Sequence, residues 1–310
     1  MSVFDDPEIF RAVMESLPVG IYLVDREQKI QFWNAGAERI TGYLRQDVVG
    51  HLCRENILSY RSGTDPAQGG PDTPDAIVMR EGKAVEAEAF LHHKEGHRIP
   101  VRLRAVPVRN SHGSVVGIAE TFEESFSASA LDRRHNKLAA YGCLDADTGV
   151  LNRGIIEAHL KEHLAMHREH PVPFGVLCMQ VDKLDVLRRT YGAQAVEEIL
   201  RVAAHTIETS LRPTDHLGRW GENQFVAILN ECNAEEAARA GERVRKLVSY
   251  AEVRWWGDLV PVTASIGGTA AHPSDSLESI LGRAETMQQE SAGKGGNCVT
   301  VATAPPAGQD

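Results

Sequence analysis

No stretch of this chain comes near the roughly 18 consecutive apolar residues that a membrane-spanning helix needs, so no helical span is expected. The N-terminus, Met1-Ser2-Val3-Phe4-Asp5-Asp6-Pro7-Glu8, lacks the basic-then-apolar order of a secretory leader, and a cytoplasmic location with no membrane partner is expected. Cysteine is sparse and odd in number. Cys53, Cys143, Cys178, Cys232 and Cys298 are scattered and form no C-x-x-C, which argues against a disulfide framework and for free thiols in a reducing compartment. Basic excess is missing too: 33 Lys and Arg stand against 43 Asp and Glu, for a net charge of −10. That excludes a general binder of nucleic acid or anionic membranes, while leaving room for one small basic pocket. What is present is ordinary for a folded protein, with 42% apolar and 25% charged residues over a 310-residue length that suggests two domains.

Residues 7–124 read as one domain. Ile9 to Leu17 is a short amphipathic helix stopped by Pro18, and Gly20–Asp25 and Lys29–Trp33 are strands joined at Arg26-Glu27-Gln28. Asn34 caps a helix that ends near Gly42, and a short helical element follows at Asp47 to Gly50. Ser62 to Pro74 is crowded with Pro and Gly and reads as a loop. Three strands then follow at 84–93, 98–107 and 115–122, separated by Lys94-Glu95-Gly96 and Asn110-Ser111-His112-Gly113. This order, with Trp33-Asn34-Ala35-Gly36-Ala37-Glu38, Thr41-Gly42-Tyr43, Val48-Val49-Gly50 and Lys94 to Val101, resembles a PAS domain. The resemblance implies a sensor of an unknown ligand, light or redox state, or a dimerising module. His51, Cys53, His92, His93 and His97 are of metal- or haem-ligand type. Against that, His92 and His93 fall on opposite faces of a strand, so at most one points inward, and Cys53 reads as a packed thiol. The N-C-R-F-L pattern of light-sensing flavin PAS domains is absent.

Residues 125–143 form a connector. Glu123 to Tyr141 has neither Gly nor Pro, and Phe122, Phe126, Leu131 and Leu138 suggest a helix. It reads either as part of a two-stranded coil in a homodimer or as a plain exposed helix, since Arg134 and His135 break the apolar seam.

Residues 144–303 alternate helix and strand: a helix over 155–167, a strand over 174–181, helices over 185–191 and 195–211, a strand over 225–229, a helix over 234–250, a strand over 260–267, a helix over 276–289 and a strand over 298–302. The expected fold of the whole chain is α/β (α+β): an antiparallel sheet with small helices, then a mixed central sheet flanked by helices. Within this segment Arg212 and Asp215 stand three apart at a helix-to-strand junction, and Gly221-Glu222-Asn223-Gln224 is a turn running into the apolar Phe225–Leu229. A guanidinium can fork onto phosphate or a guanine edge, and a carboxylate can accept guanine N–H groups; a surface ion pair is the plain reading of the same spacing.

Taken together, these stretches resemble a GGDEF domain, the fold of diguanylate cyclases, which join two GTP into cyclic di-GMP. Asp145 to Arg153 resembles the D-x-L-T-G-L-P-N-R opening, Val262 to Gly267 the V-T-x-S-I-G strand, and Arg212 and Asp215 the R-x-x-D that precedes G-G-[D/E]-E-F by five residues. The resemblance implies a Mg²⁺ cradle of carboxylates on adjacent strands, because that ion needs charged oxygens. At the matching positions stand Gln180 for the first Asp of D-x-D, and Asn223 and Gln224 for the acids of the signature. Asp185 replaces a phosphate-binding Lys, Arg188 a guanine-reading Asn, and Glu222 the second Gly. In the late A-D-x-A-L-Y-x-A-K-x-x-G-R-N pattern Ala292 and Gly296 replace Lys and Arg, while Ala284, Gly295 and Asn297 match, with Glu285 a near match.

The resemblance thus implies a signalling protein whose GGDEF domain lacks cyclase activity. It would bind cyclic di-GMP through Arg212 and Asp215, aided by Arg243 or Arg245, and would pass a PAS signal to an unknown downstream protein. No resident cofactor is certain. Two alternatives stay open: a working cyclase with Mg²⁺ shifted onto Asp182 and Glu222, and a dimerisation scaffold without a nucleotide.

Overall fold

The computed structural model describes residues 6–53, 73–124, 138–139, 141–170 and 172–302. The chain divides into two compact units, Met1–Phe126 and Ser127–Asp310.

The first unit is a five-stranded antiparallel sheet in the order β2-β1-β5-β4-β3. Its elements are α1 (Pro7–Ser16), β1 (Gly20–Asp25), β2 (Ile30–Trp33), α2 (Ala35–Thr41), α3 (Arg45–Val48), α4 (Pro74–Glu81), β3 (Val85–His92), β4 (Arg98–Arg109) and β5 (Val115–Glu124). The rings of Tyr22, Trp33 and Phe122 pack at centroid separations of 5.6–6.2 Å in its core. Asn34 is fully buried and satisfied: Oδ1 accepts Ile21 N–H and Ala37 N–H, each at 2.8 Å, and Nδ2 donates to Met14 O and Val19 O. One amide therefore caps α2 and ties it to the approach to β1.

The second unit contains α5 (Arg153–Glu169), β6 (Phe174–Val181), α6 (Leu184–Tyr191), α7 (Ala193–Ser210), β7 (His216–Arg219), β8 (Gln224–Asn230), α8 (Ala234–Tyr250), β9 (Glu252–Trp255), β10 (Asp258–Pro261), β11 (Ala264–Ala270), α9 (Leu277–Gly293) and β12 (Val299–Val301). The central sheet runs β12-β11-β6-β8-β7, mixed because β12 alone pairs in parallel. Both faces are covered. Leu177, Met179 and Val181 of β6 enter one core with α7 and α8, while Phe174, Val176 and Cys178 enter the other with α5 and α9. Burial on both sides is why β6 and β8 read as unbroken apolar runs rather than alternating ones.

Three features differ from the sequence expectation. A helix, α4, follows the Pro- and Gly-rich stretch, capped by Thr73, whose hydroxyl accepts Ala76 N–H, with Pro74 at its first turn. Four residues of the presumed spacer, His216–Arg219, form the edge strand β7. The single strand expected over 260–267 is two: β10 pairs with β9 in a separate hairpin, and β11 joins the central sheet. The break falls at Thr263, whose carbonyl accepts Asp182 N–H at 2.9 Å. The hairpin turn itself, Trp256-Gly257, has both residues at positive φ, 51° and 94°, as a tight two-residue turn demands. Residues 62–72 of the expected loop and most of the connector helix, with Phe126 and Leu131, lie outside the described residues.

The glycine of Val262–Gly267 has a steric reason. A Cβ on Gly267 would stand 2.0 Å from Gln288 N and 2.2 Å from Ala284 O, so β11 and α9 meet backbone to backbone. Gly267→Ala is expected to lower stability by about 1–3 kcal/mol through forced separation of the two elements. Urea unfolding of the variant checks this, and an unchanged midpoint would refute it.

Candidate functional site

The signature turn between β7 and β8 is held by one guanidinium. Arg219, mostly buried, donates from Nη1 to Asp145 Oδ1 at 2.9 Å and Asp147 Oδ2 at 2.8 Å. Its Nε reaches Gly221 O at 3.2 Å and its Nη2 reaches Glu222 O at 2.9 Å. Asp145 is fixed in turn by Thr148, which donates its N–H and hydroxyl to the same Oδ1. Burial pushes the Asp145 carboxyl up, but the Thr148 and Arg219 bonds outweigh it and hold it below the usual carboxylate range. The opening Asp-Ala-Asp-Thr stretch is thereby bolted to the signature turn. Backbone bonds from Leu151 N–H to Leu217 O and from Arg219 N–H to Leu151 O continue the attachment.

Beside this turn the strand register sets Gln180 of β6 directly opposite Gln224 of β8. Cross-strand partners have Cβ atoms about 5 Å apart, so two carboxylates here would demand a cation, and two amides do not. Asn223 is the next residue, its carbonyl accepting Val181 N–H at 3.0 Å. Glu222 is exposed and forms an ion pair with Arg188 of α6.

Asp182 lies just past β6, but its carboxylate is committed. Oδ2 accepts Thr263 Oγ1–H at 2.8 Å and Asn297 N–H at 2.9 Å, and Oδ1 accepts Ser265 Oγ–H at 2.6 Å. It leans toward β11, whereas Glu222 sits in the turn on the other side of β6. The structure does not bring Asp182 and Glu222 together as a ligand pair. The donor set does not fit Mg²⁺, which the resemblance implies: Gln180, Asn223 and Gln224 offer neutral amides, and the two neighbouring acids are engaged elsewhere. Asp185 and Ala292 are exposed, and Gly296, at φ 81°, faces the Asp182 carboxylate with its Cα.

Arg212 and Asp215 occupy the α7–β7 junction. Asp215 Oδ2 accepts Arg212 N–H at 2.9 Å and Oδ1 accepts Asn230 N–H at 3.0 Å. Burial pushes this carboxyl above the usual range, against the opposing pull of those two N–H groups and of the Arg212 and Arg243 guanidiniums. The Arg212 side chain is exposed and makes no hydrogen bond or ion pair among the described residues. Arg243 thus lies within electrostatic reach of Asp215. Arg245, two residues on along α8, turns elsewhere and bonds Glu242 and Asn297. Asn230 and Gln224 end the same strand, so this pocket lies about 20 Å from the signature turn by strand rise.

In the first unit, the five histidine and cysteine candidates do not converge. His51 is exposed, His92 is buried against the Tyr43 hydroxyl at 3.1 Å, and the Cys53 thiol faces the Tyr22 hydroxyl at 3.9 Å. His93 and His97 do meet, with rings stacked at 4.1 Å.

Sequence reasoning missed Arg219 and the Arg188–Glu222 pair. The available signal for the first was a cation inside the five-residue spacer together with two acids at 145 and 147. Nothing in the sequence showed that they would meet across 74 residues.

A family model described as the diguanylate cyclase GGDEF domain matches residues 143–298, and a PAS domain model matches residues 18–124. The probable diguanylate cyclase DgcE of Escherichia coli K12 is 24% identical over 97% of this chain and 27% of its own length. Diguanylate cyclase A of Treponema denticola is 31% identical over 77% of this chain and 66% of its own length. This chain therefore spans from about a quarter to two thirds of the two curated relatives. Among solved structures, the coiled coil and GGDEF domain of DgcB from Caulobacter crescentus, in complex with c-di-GMP, superposes with TM-score 0.51 at 24% identity. It covers 56% of this chain and 93% of that one, and shows the shared fold. No helix among the described residues is long and apolar enough to cross a membrane.

Two stability changes are expected from this geometry. Arg219→Ala and Asp182→Ala each strand hydrogen-bond partners and lower stability by about 2–4 kcal/mol, whereas Glu222→Gln, on an exposed pair, changes it by less than about 1 kcal/mol. Denaturant titration of the three variants checks the order. In Arg219→Ala, amide exchange at residues 219–224 accelerates more than in β11. The Asp145 carboxyl is depressed in the folded state, so its contribution is complete above the ordinary carboxylate range and is lost as pH falls through the depressed value. An acid titration of wild type against Arg219→Ala reads that loss.

Proposed function

The chain belongs to the diguanylate cyclase GGDEF family and carries a PAS domain ahead of that domain, and from this premise we propose that its GGDEF domain is a receptor for cyclic di-GMP rather than a cyclase. The observation that carries the loss of catalysis is the neutral amide at both positions where the resemblance implies metal-binding carboxylates, Gln180 and Asn223, with a third amide, Gln224, directly opposite Gln180. The Arg188–Glu222 ion pair strengthens the reading, since it ties α6 to the signature turn across the entry to that place.

Receptor function draws on the other end of β8. Arg212 is exposed and uncommitted, and a guanidinium of that kind forks onto phosphate. Asp215 is partly buried, already oriented by two backbone N–H groups, and accepts from a guanine edge. Arg243 supplies a second cation, and Arg245 is held in a different cluster. The c-di-GMP complex of DgcB agrees with a ligand of this class on this fold. The PAS domain is the input in this reading, the output is a contact with another protein, and two copies pair through the PAS domain and connector.

Calorimetry with cyclic di-GMP tests the proposal. Wild type is expected to bind, and Arg212→Ala to bind about 10- to 100-fold more weakly, the range for losing charge-assisted hydrogen bonds. Incubation with GTP and Mg²⁺ or Mn²⁺ is expected to yield no cyclic di-GMP in excess over protein. Product beyond that amount would make the protein a cyclase, and absent or equal heats in both proteins would make it a scaffold. The pH dependence has a defined sign. Burial raises this carboxyl in the folded state, so it takes up a proton above the ordinary carboxylate range, and affinity falls as pH drops through that raised value and the guanine N–H groups lose their acceptor.

A further inference from the structure

The β3–β4 turn brings together three side chains of metal-ligand type. His93, Glu95 and His97 each place one ligand atom within 4.8 Å of the other two. The turn that presents them is fixed by its backbone: His93 N–H donates to His97 O and Gly96 N–H to His93 O, both at 2.9 Å, with Gly96 at φ 93°. Lys94 N–H donates to Thr41 O, which anchors the turn to the end of α2. The His93 ring lies over Gly42, where any Cβ would come within 2.7 Å of Nε2. The two imidazoles are stacked at 4.1 Å and 21°.

His93 Nδ1 accepts Glu95 N–H at 3.2 Å, so the neutral ring carries its proton on Nε2, and an ion bound at Nδ1 would take the place of that hydrogen bond. The Glu95 carboxylate stands 3.8 Å from that same Nδ1. The Lys94 ammonium is drawn away, reaching Asp47 at 3.3 Å.

We propose that His93, Glu95 and His97 form a binding site for a divalent transition ion, zinc foremost, with solvent completing the coordination. Two imidazole nitrogens and one carboxylate oxygen suit zinc rather than magnesium or calcium. Zinc requires ligand distances of about 2.0–2.2 Å, so the stacked rings and the Glu95 carboxylate would turn toward the ion from their present spacing. The ion would cross-link the two ends of the β3–β4 turn and clamp it against the C-terminus of α2. Neither the sensor resemblance nor the cyclic di-GMP reading supplies this site, and it stands or falls independently of both.

Zinc titration of the full chain, stripped with a chelator, tests the site. Wild type is expected to bind one more zinc ion per chain than His93→Ala/His97→Ala, a difference that discounts ions taken by the free thiols. Glu95→Gln, on an exposed side chain that leaves folding untouched, is expected to weaken that ion at least several-fold, and His51→Ala to leave it unchanged. Because His97 is buried and its loss could unfold the domain, the wild type carries a second readout. On adding one equivalent of zinc, the ring-nitrogen resonances of His93 and His97 should shift together. Equal stoichiometry in wild type and the double variant, no effect of Glu95→Gln, or ring shifts that spare His93 and His97 would overturn the proposal.

Discussion

A single guanidinium reconciles the two ends of the second unit. The signature turn is short, polar and half-exposed, and its carbonyls find separate partners, that of Asn223 bonding Val181 of β6. Arg219 gathers two of them and joins them to acids that open the domain, so the turn is ordered by electrostatics rather than by burial. That arrangement needs no nucleotide and no metal. It leaves the positions around the turn free to change chemistry while the fold persists, and Gln180, Asn223, Gln224 and Glu222 occupy those positions.

Asp182 illustrates the same division. Within a strand end that the family uses for metal, it bonds to Thr263, Ser265 and Asn297 and so joins the tip of β6 to β11 and to the chain leading into β12. A carboxylate so occupied is an architectural element. Its presence beside Gln180 gives the sequence an acidic look that the three-dimensional donor set does not support. At the other end of β8, Asp215 is held by two backbone N–H groups rather than by two hydroxyls and one N–H, and there an exposed arginine stands next to it.

Much of this was legible in the residues. The doubly buried strands β6 and β8 announced themselves as apolar runs, and the caps Asn34 and Ser276 stood where their helices begin. The substitutions at 180, 223 and 224 were visible against the family pattern, but their facing register was a property of strand pairing. Three elements were hidden for physical reasons. β7 is four residues long and contains Gly218, which is there because a Cβ would collide with Ile156. The β9–β10 turn uses Trp256 at positive φ, a conformation bulky side chains rarely adopt, so no turn signal appears. α4 begins with an ordinary Thr-Pro-Asp start that the adjacent Pro- and Gly-rich run obscured. Arg219 was concealed because its partners come from the far side of the domain's own sequence.

The four tryptophans sit in four unlike surroundings. Trp33 is wholly enclosed in the PAS core, Trp220 lies under the Arg153 guanidinium at 4.5 Å beside the signature turn, Trp255 packs on the second core, and Trp256 is 93% exposed at a hairpin tip. Intrinsic fluorescence of the intact chain is consequently a composite spectrum. A blue component belongs to the PAS interior, a red component to the hairpin, and the indole at 220 is an optical reporter built into the signature turn itself.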